Sequence, residues 1–261
     1  FIKAAALLDL DVEFIYPESE GHLCECRITP DDVRGAVLSA GKKPRAVYIT
    51  SPDYLGNTLD VGGIAEVCRE NGIPLLVDNA HGAYLRFLTP SQHPIDLGAD
   101  ICCDSAHKTL PALTGAAYLH ISNTAPRIFV SEAKNALALF GSTSPSYLIL
   151  QSLDRLNLYL SSGYNERLSS LAERVKMLKT RLSEVGYTLY GNETTKITLA
   201  TKAYGYTGTD FAKILAEKGI VCEYADPDFI VFMLADEIGE EGLCRLENAL
   251  LLMPKMSAIP T

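Results

Sequence analysis

Two short segments, LLVDNAHG at residues 75–82 and DSAHKT at residues 104–109, decide how we expect this chain to fold. The first is an apolar run that ends in Asp78, as is typical of a buried strand in a parallel sheet. A second apolar run, at residues 99–103, precedes Lys108. Open α/β sheets bind ligands at the carboxyl ends of their strands. We therefore expect Asp78 and Lys108 to belong to one site.

An acid and a lysine in this arrangement meet the requirements of pyridoxal phosphate. The lysine amine forms a Schiff base with the cofactor aldehyde, and the carboxylate keeps the pyridine nitrogen protonated so that the ring accepts electrons. In an extended chain Ala80 faces the same side as Asp78 and leaves room for a flat ring. Ser105, His107 and Thr109 follow as possible donors to the phosphate. An isolated Asp or Lys is usually a cap or a solvated charge, so the prediction depends on their conjunction.

The chain around these segments alternates between strand and helix patterns. Helices predicted at 30–40 and 61–71 flank a strand at 46–50, which indicates an α/β fold with a mostly parallel, doubly wound sheet. Beyond residue 145 the pattern changes to two long helices and then a small α+β region. We expect a large cofactor domain at 1–145, connecting helices at 146–186 and a smaller α+β domain at 187–261. The other predicted elements are strands at 12–16, 115–121, 196–202, 221–224 and 229–234, and helices at 1–10, 126–140, 146–161, 165–186, 209–218 and 240–253.

Composition narrows the possible partners. The chain has 261 residues, of which 48% are hydrophobic, and a net charge of −9, which argues against nucleic acid or an anionic membrane as a partner. No apolar run approaches the roughly 18 residues that span a bilayer. The seven cysteines are odd in number and lack zinc-site spacing, so we expect no metal site and reduced thiols in a cytoplasmic protein.

Three segments carry a family resemblance: SAHKTLPALT at 105–114, DNAHGA at 78–83 and STSPSY at 142–147. They resemble segments of the ornithine/lysine/arginine decarboxylases, which are pyridoxal phosphate enzymes of the aspartate-aminotransferase fold. The resemblance extends over most of the chain.

The resemblance implies a role for several residues. Lys108 corresponds to the Schiff-base lysine and Asp78 to the partner of the pyridine nitrogen, while Ala80 lies against one face of the ring. Ser105 and His107 are then expected to contact the phosphate or the edge of the ring that faces the substrate.

The resemblance also implies a shared active site. Thr143 and Ser144 correspond to residues that reach the cofactor phosphate of the neighbouring subunit, so we expect a homodimer or higher oligomer. The same segment also fits a helix start, with Ser144 as N-cap and Pro145 in the first position, and the two interpretations are compatible. For His81 two interpretations stay open: a direct role near the cofactor, or a core histidine hydrogen-bonded to the backbone.

The implied reaction is the decarboxylation of arginine, lysine or ornithine to the amine and carbon dioxide. Either Lys108 or His107 would return a proton to Cα. Aminotransferases of this fold hold the substrate carboxylate with an arginine of the small domain, whereas Arg245 is the only arginine beyond residue 181. This favours loss of the carboxylate. The acidic segment 223–226 is either a site for the distal cation of the substrate or a solvated strand edge.

Two departures from the family pattern leave alternatives open. Asn79 stands where these enzymes usually have Glu, and the family's phosphate cup and ring-stacking histidine would precede residue 1. We therefore expect the chain to be the C-terminal part of a longer enzyme. One alternative is another pyridoxal phosphate enzyme of the same fold, such as an aminotransferase or lyase. The other is a truncated, non-catalytic homologue that acts as a dimerisation or regulatory module, which the joint presence of Asp78, His107 and Lys108 disfavours.

Overall fold

Two separate four-stranded sheets organise the chain. The computed structural model describes residues 1–17, 27–141 and 144–260. In the first sheet the strands follow chain order: β1 (Val47–Thr50), β2 (Leu75–Asp78), β3 (Ile101–Asp104) and β4 (Tyr118–Ile121). The pairs β1–β2 and β2–β3 are parallel, and β4 runs antiparallel to β3.

The register of the first sheet brings its polar strand ends to one edge. Asp78 pairs with Thr50 of β1 on one side and with Cys103 of β3 on the other. The carboxyl ends of these three parallel strands therefore coincide, as the apolar runs ending in polar residues predict. The helices of this half are α1 (Ile2–Leu7), α2 (Pro30–Ser39), α3 (Val61–Glu70), α4 (Ala106–Thr109) and α5 (Arg127–Phe140).

Local sequence explains where these helices begin. Thr29 caps α2 in a reciprocal capping box with Asp32, and Pro30 occupies the first helical position. The Asp60 side chain accepts a hydrogen bond from the Gly63 amide at the start of α3. The core between α3 and the sheet is formed by apolar side chains that include Ile64, Val67, Ile73, Leu75 and Val77.

The second sheet is antiparallel throughout. Its strands are β5 (Thr188–Tyr190), β6 (Lys196–Ala200), β7 (Tyr224–Ala225) and β8 (Phe229–Met233), in the order β5-β6-β8-β7. The accompanying helices are α6 (Tyr147–Ser161), α7 (Tyr164–Glu184), α8 (Gly208–Glu217) and α9 (Gly239–Leu251). Buried residues of α7, α8 and α9 form one core with this sheet. The predicted class, an α/β sheet followed by a smaller α+β unit, is confirmed, whereas boundaries at 145 and 186 stay a prediction.

Three local predictions were wrong. Residues 12–16 form no strand, because their backbone pairs with no other segment of the described chain, and a β-prone composition alone does not make a strand. The strand expected at 221–224 is reduced to Tyr224–Ala225, next to an exposed Val221. The helix after residue 145 begins at Tyr147 with Ser146 as its N-cap, so Ser144 is not the N-cap. The sequence prediction also missed β5.

Candidate functional site

Asp78 lies at the end of β2 with its carboxylate oriented by two neighbours. Its Oδ2 accepts a hydrogen bond from the Tyr48 hydroxyl of β1 at 3.1 Å, and its Oδ1 accepts one from the Ala80 amide at 3.0 Å. The second bond shows that the chain turns immediately after the strand. The extended geometry assumed for Ala80 is therefore wrong, and its contact with a ring stays a prediction.

Lys108 lies on α4, directly after β3. Its Nζ is 3.3 Å from Nε2 of His81, which follows β2. Because β2 and β3 are parallel neighbours, the residues after both strands emerge at the same edge. The structure thus brings Asp78, His81 and Lys108 to one edge of the first sheet.

His81 is a buried residue with a lysine at each ring nitrogen. Its Nδ1 is 3.3 Å from Nζ of Lys196, the first residue of β6. The imidazole contacts side chains instead of the backbone, so the interpretation as a backbone-bonded core histidine was wrong. Burial, followed by the charges of Lys196 and Lys108, lowers the pKa of His81 to about 3. The ring is therefore neutral at physiological pH.

Sequence reasoning missed Lys196, which joins the second sheet to the site. Its side chain is buried, with Nζ 3.3 Å from Glu193 Oε2 and 3.2 Å from the Asp53 carbonyl. Glu193 is also buried and accepts hydrogen bonds from the Tyr84 hydroxyl and, at 3.2 Å, from Thr195 Oγ1. The only sequence signal was a lysine at the start of an otherwise apolar strand, 115 positions from His81.

The predicted phosphate contacts are only partly defined by the structure. Ser105 occupies the N-cap position of α4 without a side-chain capping bond. His107 Nδ1 lies 2.9 Å from the Ala116 carbonyl, to which it donates. Ser144 is exposed. Thr143 lies outside the described residues, so the structure does not test its predicted role or that of the pair it forms with Ser144.

A cluster around Asp104 contains metal-ligating residue types. Ligand atoms of His93, Cys102 and Asp104 lie within 4.8 Å of one another. However, His93 Nδ1 accepts a hydrogen bond from the Ile95 amide at 3.3 Å, so its Nε2 carries the proton and donates to Asp104 at 3.0 Å. In this structure the side chains of the cluster hydrogen-bond to one another around the Asp104 carboxylate.

The same network holds the end of β3 in place. The Asp104 carboxylate accepts hydrogen bonds from the side chains of His93, His120, Asn79 and Cys102. Burial opposes ionisation of this carboxyl, but the hydrogen bonds from His120 and His93 bring its pKa well below the usual range. The ionised Asp104 thereby fixes Asn79, the residue next to Asp78.

An aromatic wall with an acidic end stands beside His81. The ring of Tyr54 packs edge-on against His81, with centroids 5.1 Å apart, and against Tyr224 at 5.2 Å. The Tyr54 hydroxyl donates to Glu223 Oε1 at 3.3 Å. Glu223, which was predicted either to bind a cation or to be a solvated edge, is thus exposed but connected to the site through Tyr54.

Residues 26–187 match the model of the family described as "Orn/Lys/Arg decarboxylase, major domain". The chain belongs to this family. Among curated relatives, the uncharacterized protein YaaO of Bacillus subtilis is 33% identical over 209 residues, which cover 76% of this chain and 43% of that protein. The arginine decarboxylase of Bacillus subtilis is 26% identical over 254 residues, covering 91% of this chain and 51% of that protein. The chain thus spans about half the length of these relatives.

A solved structure supports the fold of this family member. The constitutive lysine decarboxylase of E. coli superposes with a TM-score of 0.66 at 20% sequence identity, over 85% of this chain and 39% of that one. Within the described residues, no helix combines the length and the hydropathy needed to cross a bilayer.

Proposed function

We propose that this chain forms the pyridoxal phosphate site of an enzyme that decarboxylates a basic amino acid, arginine, lysine or ornithine, to the amine and carbon dioxide. One observation carries the proposal: a carboxylate, Asp78, and a primary amine, Lys108, lie at the same edge of a parallel sheet, after neighbouring strands. Membership of the decarboxylase family supports it.

The donor set fits this cofactor. The Oδ2 atom of Asp78 accepts one hydrogen bond, from Tyr48, and retains a lone pair for a protonated ring nitrogen, whereas Oδ1 accepts from the Ala80 amide and from Cys103 Sγ. When bound, pyridoxal phosphate supplies an electron sink that accepts the electron pair left at Cα as carbon dioxide departs. Asp78 would hold the proton on the ring nitrogen, and Lys108 would supply the amine that anchors the aldehyde. Ser105, His107 and, from a second subunit, Thr143 and Ser144 are the proposed phosphate contacts.

Reprotonation at Cα is assigned to Lys108. The Nδ1–H of His107 donates to the Ala116 carbonyl, which ties this imidazole to the backbone. The Lys108 amine carries protons and lies on the flexible end of a long side chain.

The cations of the second half favour loss of the carboxylate over transamination. The Lys196 ammonium is directed at the Asp53 carbonyl, Glu193 and His81. Arg245 is exposed on α9, where it faces Glu241 at 3.9 Å. Neither cation is available to hold a substrate carboxylate, which an aminotransferase must retain.

We propose that Glu223 binds the cation at the distal end of the substrate side chain. This carboxylate is exposed, and it is connected through the Tyr54 ring to His81, the neighbour of Lys108. A cation there would also lie against the Tyr54 ring, a favourable arrangement for an ammonium or guanidinium group.

A second copy of the chain is proposed to cover the face formed by α5 and the start of α6. None of the 14 residues of α5 is buried, and three of its apolar residues, Ile128, Val130 and Leu139, are 62%, 64% and 72% exposed. Large apolar side chains exposed along a whole helix indicate an interaction site. It lies directly before Ser144, the residue proposed to reach a neighbouring subunit.

The decisive experiment mixes the intact protein with pyridoxal phosphate and records the visible absorbance of the Schiff base. We expect absorbance in the parent and in a Lys202→Ala control, whose lysine pairs with Asp228 away from the site, but none in Lys108→Ala. Product analysis with each basic amino acid then distinguishes amine release from keto-acid release. Absence of absorbance in the parent would contradict the enzyme assignment and favour a non-catalytic module, whereas keto-acid release would favour an aminotransferase.

A further inference from the structure

The buried imidazole of His81 joins two lysines that come from different sheets. Lys108 approaches Nε2 from α4, and Lys196 approaches Nδ1 from β6, each with its Nζ at 3.3 Å. Only 6% of the His81 residue is exposed. The three side chains therefore form a continuous nitrogen-to-nitrogen chain that ends at the reactive amine of the proposed site.

Counting protons along this chain restricts its possible states. A neutral imidazole has one N–H donor and one lone pair, so it accepts a hydrogen bond at one nitrogen and donates one at the other. An ammonium group has three donors and no acceptor. Both lysines therefore cannot be ammonium groups while each is hydrogen-bonded to the ring, and the lysine that accepts from His81 must be a free amine.

The surroundings identify Lys196 as the charged lysine. Besides its contact with His81, its Nζ donates to the Asp53 carbonyl at 3.2 Å and forms an ion pair with Oε2 of Glu193 at 3.3 Å. Glu193 is 2% exposed, and Lys196 is the lysine that faces its carboxylate, because the neighbouring Lys179 ammonium donates to the Glu193 backbone carbonyl instead. A neutral Lys196 would therefore remove the cation that directly faces a buried carboxylate, which is costly.

The remaining group against the ring adds no charge. Tyr54 packs edge-on against His81, and its hydroxyl points away, to Glu223. Burial, with the nearby Glu223, raises the pKa of Tyr54, so this phenol is neutral. Tyr84 reaches Glu193 and not the imidazole.

We propose that Lys196 is a positioning residue that fixes His81 as the Nε2–H tautomer, which donates to Lys108 and holds Lys108 as a free amine before the cofactor binds. An ammonium must lose its proton before its nitrogen can attack an aldehyde, so this arrangement prepares Lys108 for Schiff-base formation. The inference rests on the proposed function only in taking Lys108 as the lysine that reacts with the cofactor.

The first test reads the tautomer directly in the intact protein without added cofactor. Nitrogen-15 NMR of labelled histidines, with the His81 signals assigned from a His81→Gln variant, distinguishes a protonated from an unprotonated ring nitrogen. We expect Nε2 to carry the proton and Nδ1 to be unprotonated near neutral pH, consistent with a neutral ring. A proton on Nδ1, or a cationic ring near neutral pH, would overturn the proposal, and this result requires no variant of Lys196 to fold.

The second test measures the reactivity of Lys108. Acetic anhydride labels free amines, and mass spectrometry of the Lys108 peptide at a series of pH values gives the midpoint of its labelling profile. The double variant Lys196→Met/Glu193→Gln removes both members of the buried ion pair, so neither charge is left unpaired. We expect less labelling of Lys108 near neutral pH in this variant, because without Lys196 His81 is no longer held in the tautomer that donates to Lys108.

Two further variants serve as controls for this test. Lys202→Met removes a lysine of the same half that pairs with Asp228, and it should leave the Lys108 profile unchanged. Lys196→Arg keeps a cation beside Nδ1 and should restore the parent profile. An unchanged profile in a folded double variant would refute the role of Lys196.

Neither readout needs bound cofactor, so the inference and the proposed function fail separately. If the tautomer and the labelling shift are found but pyridoxal phosphate produces no visible absorbance, the arrangement of His81 stands and the enzyme assignment fails. If absorbance appears but His81 carries its proton on Nδ1, the enzyme assignment stands, and the proposal that His81 holds Lys108 as a free amine fails.

Discussion

Acidification should destabilise this protein through His81. In the folded state burial, followed by the charge of Lys196, lowers the pKa of His81 to about 3, whereas the unfolded chain keeps a value near 6.5. Between these values the unfolded state binds the proton and the folded state does not, so the stabilisation is complete above pH 6.5 and is lost as the pH falls. One pH unit corresponds to about 1.4 kcal/mol, so lowering the pH from 6.5 to 4.5 should cost about 2.7 kcal/mol at this residue.

His81→Gln is the matched comparison for this effect. A glutamine amide accepts from one lysine and donates to the other, as the neutral imidazole does, but it does not titrate. Urea unfolding followed by circular dichroism at each pH gives the free energy of unfolding of both proteins, and other acid-sensitive groups such as Asp104 cancel in the difference. The stability of the parent relative to His81→Gln should fall by about 2.7 kcal/mol between pH 6.5 and 4.5. If the free energies of unfolding of the two proteins changed in parallel with pH, His81 would be cationic or accessible in the folded state, and the proposal of a buried neutral imidazole would be refuted.

Three other predictions follow from particular contacts. Asp78→Asn should lower kcat for amine release roughly 100-fold because the amide does not stabilise a charged ring nitrogen; unchanged kcat would remove Asp78 from the proposed site. Glu223→Gln should raise KM for the basic amino acid with little change in kcat if this carboxylate holds the distal cation, and an unaltered KM would assign Glu223 to a solvated edge. Thr29→Ala removes the reciprocal cap of α2, so thermal unfolding should show a loss of about 1 kcal/mol, with no change in visible absorbance after mixing with pyridoxal phosphate.

The framework of the first sheet was predictable because its signals are local. Apolar runs that end in polar residues defined β2 and β3, and Thr29 with Pro30 defined the start of α2. The strand prediction that failed rested on a local pattern in a segment that pairs with no neighbouring strand. Residues 12–16 have a strand-like composition, yet no segment of the described chain provides the hydrogen bonds that a strand requires.

The environment of His81 could not be predicted in the same way. Its position after β2 follows from the sequence, but its two neighbours come from α4 and from β6, the latter 115 residues away. Glu193 and Tyr84, separated by 109 residues, form the contact that supports Lys196. No periodicity or motif encodes pairs at such distances along the chain.

By itself, the sequence determined the alternation of strands and helices in the first sheet from β1 onward, the family and the conjunction of Asp78 with Lys108, because these depend on hydrophobic periodicity and on short motifs beside strand ends. Only the tertiary structure decided that His81 bridges two lysines, that Asp104 anchors a hydrogen-bonded network, and that Glu223 connects to the site through Tyr54. Protonation states depend on burial and on charges within a few ångströms, and both are set by the packing of the second sheet against the residues that follow β1 and β2.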